Sequence, residues 1–297
     1  MRFPLRLSTI SAVLPLTLLM AACAGLGETQ APPRKETIVA VTAAMDLIRF
    51  NAGQPQRILV RTRVTGLAPG ERLLGIDYRV ARGVLYALSS HGRLYTLDAV
   101  TALLTPVGSA PSAVPLSGSL SGFDFNPAAD RIRVVNETGQ NLRLHPDTGA
   151  AVDGNPALEG VQGDAALAYA SGDGHAGKVP ALVAAAYTYN KKDEKLTTNF
   201  AIDRRLGVLL MQGSPEGAAP VVSPNTGLLR TVGALALGDI VDASLDIADV
   251  SGAAFAVVRT VEQPRTRLHL VALATGRASL IGTVGDGAPL VGMAVEP

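Results

Sequence analysis

Three aspartates occupy equivalent positions in a repeated sequence pattern. Asp77, Asp124 and Asp246 each lie in a short apolar segment, in the forms GIDY, GFDF and SLDI. Carboxylates that converge from several segments can bind a divalent cation or a polar ligand. The alternative is structural: each aspartate caps a turn or accepts hydrogen bonds from backbone N–H groups of a neighbouring repeat. A repeat needs sameness whereas a binding site needs asymmetry, so the periodicity favours the structural role.

A polar residue close to these aspartates varies between the copies. Asn126 has Arg79 as its counterpart in one copy and Glu296 in another. We therefore add Asn126 to the three aspartates as a candidate ligand of a site in a central channel. The sequence assigns no catalytic residue, no metal ligand and no cofactor.

The other reactive side chains lack catalytic or metal-binding spacing. The four histidines are His91, His145, His175 and His269. None belongs to a His-x-x-x-His pair, and no Gly-x-Ser-x-Gly segment marks a nucleophile, so we predict surface or rim positions for them. Arg131, Arg133 and Arg143 lie on two adjacent predicted strands. If these arginines pair with Asp or Glu side chains, they form a solvated face. If they are unpaired, they are candidates for contact with an anionic lipid or glycan.

The N-terminal segment has the features of a bacterial lipoprotein signal. Arg2 and Arg6 precede an apolar stretch that is too short for a membrane-spanning helix. Residues 20–23 (Met-Ala-Ala-Cys) then resemble a lipobox, with Met where Leu is usual, and Cys23 is the only cysteine of the chain. We predict cleavage before Cys23 and lipidation of its thiol. The rival is an ordinary secretory cleavage after Ala24.

The body of the chain repeats a pattern of short β-strands. The GIDY and GFDF segments begin at Gly75 and Gly122, 47 residues apart, and the same offset pairs Gly92 with Gly139. Alternation with a period of two and turn residues between segments predict four strands per copy. Units of four strands and about 40–50 residues are typical of β-propeller blades. The sequence therefore predicts an all-β propeller.

Five blades are expected, closed by both ends of the chain. The predicted first strands lie near Asp77, Asp124, Ala168, Asp246 and Ala294. The long gap before Asp246 holds an extended hairpin or hides a sixth blade. The C-terminal GMAVEP aligns with GFDFNP, so we expect it to complete one blade with the first three strands, which leaves no open edge. A two-sheet sandwich does not predict such a split. We predict a signal peptide at residues 1–22, a flexible tether at 23–35 and one propeller at 36–297.

The repeated segments resemble a known family. GIDYRVARGVLYALSSHGRLYTLD, SGFDFNPAADRIRVVNETGQNLRLHPDTGA and LVGMAVEP are similar to secreted bacterial proteins of the domain of unknown function 4394 family. The resemblance covers about residues 36–297 and is most specific at 123–149. Val80 departs from it, where the motif favours Pro, as do residues 99–102, where it favours Pro-x-Thr-Gly. The resemblance implies a repeat β fold and export, and it brings no catalytic residues.

Composition narrows the function class. The 297 residues include 26 basic and 25 acidic side chains, so a nucleic-acid partner is not expected. A hydrophobic content of 47% excludes global disorder. We expect an exported lipoprotein of the bacterial outer membrane, on its periplasmic or surface side, whose propeller binds or scaffolds a protein or glycan. The alternative is a propeller enzyme, such as a metal-dependent lactonase or a sugar lyase or hydrolase, which an asymmetric carboxylate–His–Asn cluster in the channel would favour.

Overall fold

The chain folds into short β-strands. The computed structural model describes residue 1 and residues 31–297, so Cys23 and the predicted signal peptide lie outside the described part. The described residues form twenty strands, two single turns of 3-10 helix (Val80–Arg82 and Pro224–Thr226) and no α-helix. No helix in this part is long and apolar enough to cross a bilayer. The predicted all-β class is confirmed.

The strands form five sheets, the blades of a propeller. Blade 1 holds β1 (Thr37–Thr42), β2 (Asp46–Asn51), β3 (Ile58–Arg63) and the C-terminal β20 (Leu290–Val295). Blade 2 holds β4 (Leu73–Arg79), β5 (Val84–Ser89), β6 (Leu94–Leu97) and β7 (Leu104–Pro106). Blade 3 holds β8 (Ser121–Asn126), β9 (Arg131–Asn136) and β10 (Asn141–Leu144). Blade 4 holds β11 (Ala168–Tyr169), β12 (Leu182–Tyr187), β13 (Asn199–Asp203), β14 (Val208–Gln212) and β15 (Leu228–Ala234). Blade 5 holds β16 (Ile240–Ile247), β17 (Ala254–Thr260), β18 (Arg267–Val271) and β19 (Ala278–Thr283).

The innermost strands surround a central channel. They are β4, β8, β12, β16 and β20, and each contacts the inner strands of the two adjacent blades. We call the end of the channel where these strands begin the N-terminal mouth and the opposite end the C-terminal mouth. One cluster of buried apolar side chains lies between each pair of neighbouring blades. The hydrophobic core is therefore distributed around the ring.

The two ends of the chain close the ring in blade 1. Strand β20 is antiparallel to β1, with Ile38 opposite Val295 and Ala40 opposite Met293. β20 also contacts the inner strands of blades 2 and 5. The predicted closure and the five-blade count are both confirmed. The residues before β1 contact this blade as well, since the Arg34 N–H donates to Asn51 Oδ1 at 2.9 Å.

Blades 3 and 4 depart from the regular four-stranded pattern. Blade 3 has three strands, and only an isolated bridge between Leu144 and Ala151 stands where a fourth would be. The segment that follows holds Pro156 and three glycines, residue types that oppose strand pairing. Blade 4 has five strands, because β11 pairs in parallel with β15 at its outer edge.

The predicted inner strand of blade 4 was misplaced. Ala168 lies on β11, at the outer edge, and the inner strand is Leu182–Tyr187. This strand has Ala186 where β4, β8 and β16 have aspartate, so the aspartate pattern could not find it. The long gap before Asp246 contains the remaining strands of this same blade and no sixth blade.

Candidate functional site

The three repeated aspartates meet in the channel. Asp77 on β4, Asp124 on β8 and Asp246 on β16 each offer a carboxylate oxygen, and these oxygens lie within 4.8 Å of one another. Their residues are 4%, 2% and 6% exposed. All three lie in the second half of their strands, nearer the C-terminal mouth. Residues that are distant in sequence thus form one buried acidic group, which we call the aspartate cluster.

Each carboxylate also ties its blade to the next one. Asp77 Oδ2 accepts a hydrogen bond from the Phe125 N–H at 2.7 Å. Asp124 Oδ1 accepts one from the Tyr187 N–H at 2.9 Å. These bonds connect blade 2 to blade 3 and blade 3 to blade 4.

The third tie closes the ring. Asp246 Oδ2 accepts a hydrogen bond from the Val295 N–H at 2.6 Å, between blade 5 and blade 1. Its Oδ1 also accepts from the Ile247 N–H at 2.6 Å. The aspartates therefore accept hydrogen bonds from backbone N–H groups of a neighbouring blade, which is the structural role that the sequence favoured. The aspartates nevertheless share one space instead of acting in separate blades.

Burial and mutual repulsion raise the pKa values of the cluster. The pKa of Asp77 is raised well above its usual range by burial and then by the charge of Asp246. The pKa of Asp124 is likewise raised, by burial and by both neighbouring carboxylates. Burial raises the pKa of Asp246 to about 6, with Asp249 adding a smaller repulsion and backbone hydrogen bonds opposing it. Three ionised carboxylates here would need compensation, by shared protons or by a cation.

The cluster contains part of a cation site. Carboxylate oxygens are suitable ligands for Ca²⁺, which takes about 6–8 oxygens. The three aspartates could supply three of them, and the rest would have to come from water or from a ligand. Two oxygens of Asp246 and one oxygen each of Asp77 and Asp124 are already engaged by N–H donors. Sharing protons among the three carboxylates needs no further ligand, whereas binding a cation would need additional oxygen ligands. Proton sharing is therefore the simpler way to compensate the charge of the cluster.

Tyr189 belongs to the surroundings of the cluster, and the sequence analysis missed it. Its pKa is raised by burial and then by the charges of Asp77, Asp124 and Asp246. It follows β12, an inner strand that carries Ala186 in place of the aspartate. Its hydroxyl is thus a neutral hydrogen-bond donor near the acidic group. The available signal was its position two residues beyond β12, which the misplaced strand concealed.

Asn126 does not join the aspartate cluster. Its Oδ1 accepts hydrogen bonds from the N–H groups of Ala128 and Ala129, at 2.9 and 3.1 Å. It therefore caps the turn after β8. Its two counterparts form ion pairs, Arg79 with Asp130 and Asp147, and Glu296 with Arg49 at 2.5 Å. The three copies therefore differ at this position because each residue there has its own local hydrogen-bond or ion-pair partners.

The predicted surface positions hold for some of the basic residues only. His91 is exposed and lies 3.7 Å from Glu71, whereas His269 is 5% exposed. Arg133 is 2% exposed, and its guanidinium pairs with Asp164 at 2.6 Å. Arg143 pairs with Asp164 at 2.7 Å. Arg133 and Arg143 therefore share Asp164 as their ion-pair partner in the interior of the protein, and they do not form a solvated face or a lipid contact.

A narrow neck separates the cluster from the N-terminal mouth. Glycines occupy equivalent positions on three inner strands, and a Cβ at Gly122 would lie 2.4 Å from the Ala185 nitrogen. A Cβ at Gly75 would lie 2.7 Å from the Phe123 Cβ. Only about 10 Å³ of free space remains at this level, roughly the room for one water molecule. The glycines permit the close approach that closes the channel.

A larger cavity opens at the N-terminal mouth. It has a volume of about 350 Å³ and receives residues from all five blades. We call it the mouth pocket. Its walls are mainly aliphatic, for example Leu74, Leu120 and Val291, and an ion pair between Asp242 and Arg259 lies at its edge, with Arg259 Nε 3.0 Å from Asp242 Oδ1. No sequence pattern pointed to it, because its residues come from the ends of separate strands and from loops.

Comparison with solved structures finds chains that resemble this one at low sequence identity. It is similar to a chain in the crystal structure of a nidogen/laminin complex, with 10% identity, a TM-score of 0.46, and 88% of this chain and 98% of that chain covered. It is similar to YCF48 bound to D1 peptide, with 8% identity, a TM-score of 0.35, and coverage of 86% and 69%. A protein of unknown function from Bacteroides thetaiotaomicron shows 13% identity, a TM-score of 0.41, and coverage of 77% and 57%.

Sequence comparison gives a family. No curated protein matches the chain. A family model matches residues 46–294, which include strands of all five blades. The expected membership is therefore confirmed, and the chain belongs to the family described as Domain of unknown function (DUF4394).

Proposed function

We propose that this chain is a lipoprotein of the bacterial outer membrane whose propeller binds a protein ligand at the mouth pocket. The observation that carries the proposal is the pocket itself, a concave, largely aliphatic space built from all five blades. Pockets of about 300–1,000 Å³ with a few polar groups are the usual form of a ligand site. The closed neck gives this pocket a floor, so a ligand would be held at the surface of the ring.

The lining favours a protein over a glycan. No aromatic side chain is among the described residues that line the mouth pocket, and a sugar ring would find no flat surface on which to stack. Leu67, Leu74 and Leu120 instead offer a receptacle for an apolar side chain. Arg259 and Asp242 at the edge can hydrogen-bond to backbone or charged groups around such a side chain. An apolar anchor inside a polar rim is the common arrangement of protein interfaces.

A cross-linking experiment tests the binding surface. We expect a photo-cross-linking amino acid at Leu120 in the full chain to give adducts of discrete mass in the producing cells. The same amino acid at Val221, which is 78% exposed in a loop of blade 4, is the matched control and should give none. Equal adducts at both positions, or none at Leu120, would contradict protein binding at the mouth pocket.

The membrane anchor has its own test. Replacing Cys23 by Ala should release the protein from membranes, because the thiol that takes the lipid is removed. Membrane fractionation and the mass of the N-terminal peptide measure this. Met20→Leu, which restores the usual lipobox residue, should stay anchored and serves as the control. A Cys23→Ala chain that remains membrane-bound and unprocessed would show that the lipobox interpretation is wrong.

No specific observation favours the alternative that the propeller is an enzyme. Within residues 31–297 the aspartate cluster consists of three carboxylates and is approached by Tyr189, and no histidine or asparagine completes it. The asymmetric carboxylate–His–Asn set that would favour an enzyme is therefore not assembled in the described part of the chain. Binding stays the function that we propose.

A further inference from the structure

Two buried nitrogen atoms on strand β18 lack hydrogen-bond partners. Among the described residues only four buried side-chain nitrogen or oxygen atoms are unpartnered, and two of these are Arg267 Nε and His269 Nδ1. The two residues are two positions apart on a strand, so their side chains lie on one face. Buried polar groups are nearly always hydrogen-bonded, so a pair of unpartnered ones in one place requires an explanation.

Both residues line a single cavity between blades 4 and 5. Its volume is about 270 Å³. Val258 lies opposite Arg267 and Leu280 lies opposite His269 in the register of the sheet, and Leu237 approaches from the connection between the two blades. The space thus has nitrogen donors on one wall and mainly aliphatic groups on the others, with the uncharged polar side chains of Thr260 and Gln263 also in its lining. We call it the interblade pocket.

The positive charge of Arg267 determines which kind of ligand the interblade pocket can bind. The guanidinium of Arg267 is permanently protonated and can only donate hydrogen bonds. No Asp or Glu is among the described residues that line the pocket, so the protein supplies no counter-charge there. A cation would be repelled by Arg267, whereas an anion with acceptor oxygens would satisfy Nε.

His269 fits the same ligand. Burial, assisted by the charge of Arg267, lowers its pKa, although the backbone carbonyls of Arg267 and Ala256 oppose the shift. The imidazole is therefore neutral near pH 7, and the tautomer that carries its proton on the unpartnered Nδ1 can donate one N–H to an acceptor. His269 is only 5% exposed, so its ring is largely enclosed by protein. Two pre-placed donors and one positive charge match a monoanion with two oxygens.

We propose that the interblade pocket binds a small aliphatic monocarboxylate, with its carboxylate at Arg267 and His269 and its hydrocarbon part against Val258, Leu237 and Leu280. A phosphate ester carries up to two negative charges and no apolar surface of its own at the binding end. It would place excess charge beside the aliphatic wall opposite the single guanidinium. The carboxylate is therefore the better match in both charge and shape.

Butanoate and its neutral isostere butanamide test the proposal with the full-length protein. In calorimetric titration and thermal melting, we expect butanoate to bind and to raise the melting temperature as its concentration rises. Butanamide should bind about tenfold or more weakly, because it has no negative charge and carries an NH2 donor where the carboxylate has its second acceptor oxygen. Comparable binding of the two compounds, or no binding of butanoate at millimolar concentration, would overturn the proposal.

Two variants and a second anion locate the site. Arg267→Met should lower butanoate affinity about tenfold or more, whereas Arg277→Met, an exposed arginine of the same blade, should leave the affinity unchanged. Inorganic phosphate is the rival probe. Phosphate binding that exceeds butanoate binding and depends on Arg267 would replace the carboxylate assignment. If Arg267→Met does not fold, the acid–amide comparison on the unchanged protein still decides.

Discussion

Deleting residues 290–297 should prevent the propeller from folding. The deletion removes all of β20, the inner strand that pairs with β1 and contacts the neighbouring blades. Met293, Ala294 and Val295 on this strand are at most 5% exposed. Burying a Met or Val side chain contributes about 1.5–3 kcal/mol each, while a whole domain is stable by only about 5–15 kcal/mol. Circular dichroism and size-exclusion chromatography should show an unfolded or aggregated chain.

A shorter deletion provides the control for this experiment. Removing only Glu296 and Pro297 leaves β20 intact and costs the ion pair with Arg49 and one backbone bond to Thr37. Ion pairs of this partly exposed kind usually contribute about 0–1 kcal/mol. The shorter deletion should therefore melt close to the full chain. If residues 290–297 can be removed without a change in melting, then closure by the C-terminal strand is not needed for stability.

Asp246→Asn should make the protein more stable than the wild type at pH 8 and flatten the dependence of stability on pH. The pKa of Asp246 is about 6 when folded and 3.8 as an ordinary aspartate, so the folded state binds this proton more tightly. Its contribution is then most favourable below about pH 4, is lost as the pH rises through 6, and stays unfavourable above that value. Asparagine carries no charge and keeps one oxygen that can accept the Val295 N–H, although its NH2 group cannot accept the Ile247 N–H.

Asp246→Ala distinguishes the charge from the hydrogen bond. Alanine removes the repulsion but leaves the N–H groups of Val295 and Ile247 without their acceptor, which costs about 1–3 kcal/mol for a buried group. We therefore expect a lower melting temperature than for Asp246→Asn at every pH. Melting curves between about pH 3 and pH 8 measure both effects, since the unfolded and folded pKa values lie within this range. An Asn variant that loses stability at pH 8 would contradict the repulsion argument.

Calcium provides a second test of the same cluster. We expect millimolar Ca²⁺ to leave the melting temperature of the wild type unchanged, because N–H donors already occupy oxygens of all three carboxylates. A rise that is lost in every single Asp variant would make the cluster a cation site. The effects of the three substitutions should also fail to add, since the carboxylate oxygens lie within 4.8 Å of one another.

The repeat made the fold predictable, and the same repeat hid part of the site. Strand alternation and the GIDY, GFDF and GMAVEP segments are local signals, so they predicted blades and the closure by both ends. Ala186 replaces the aspartate in blade 4, and the inner strand there was consequently assigned to Ala168. The meeting of Asp77, Asp124 and Asp246 depends on the radius of the ring, which no single repeat contains. The mouth pocket depends likewise on which strand ends the ring brings together.

The path of β1 shows from which face the chain enters the ring. Thr37, at the start of β1, lies beside Glu296 at the C-terminal mouth, and the preceding Arg34 is hydrogen-bonded to Asn51 at that same end of blade 1. The chain therefore enters the ring from the face opposite the mouth pocket. With a lipid on Cys23, the aspartate end of the channel would be oriented toward the bilayer. The mouth pocket would then face away from the bilayer and be accessible to proteins that do not lie in the membrane.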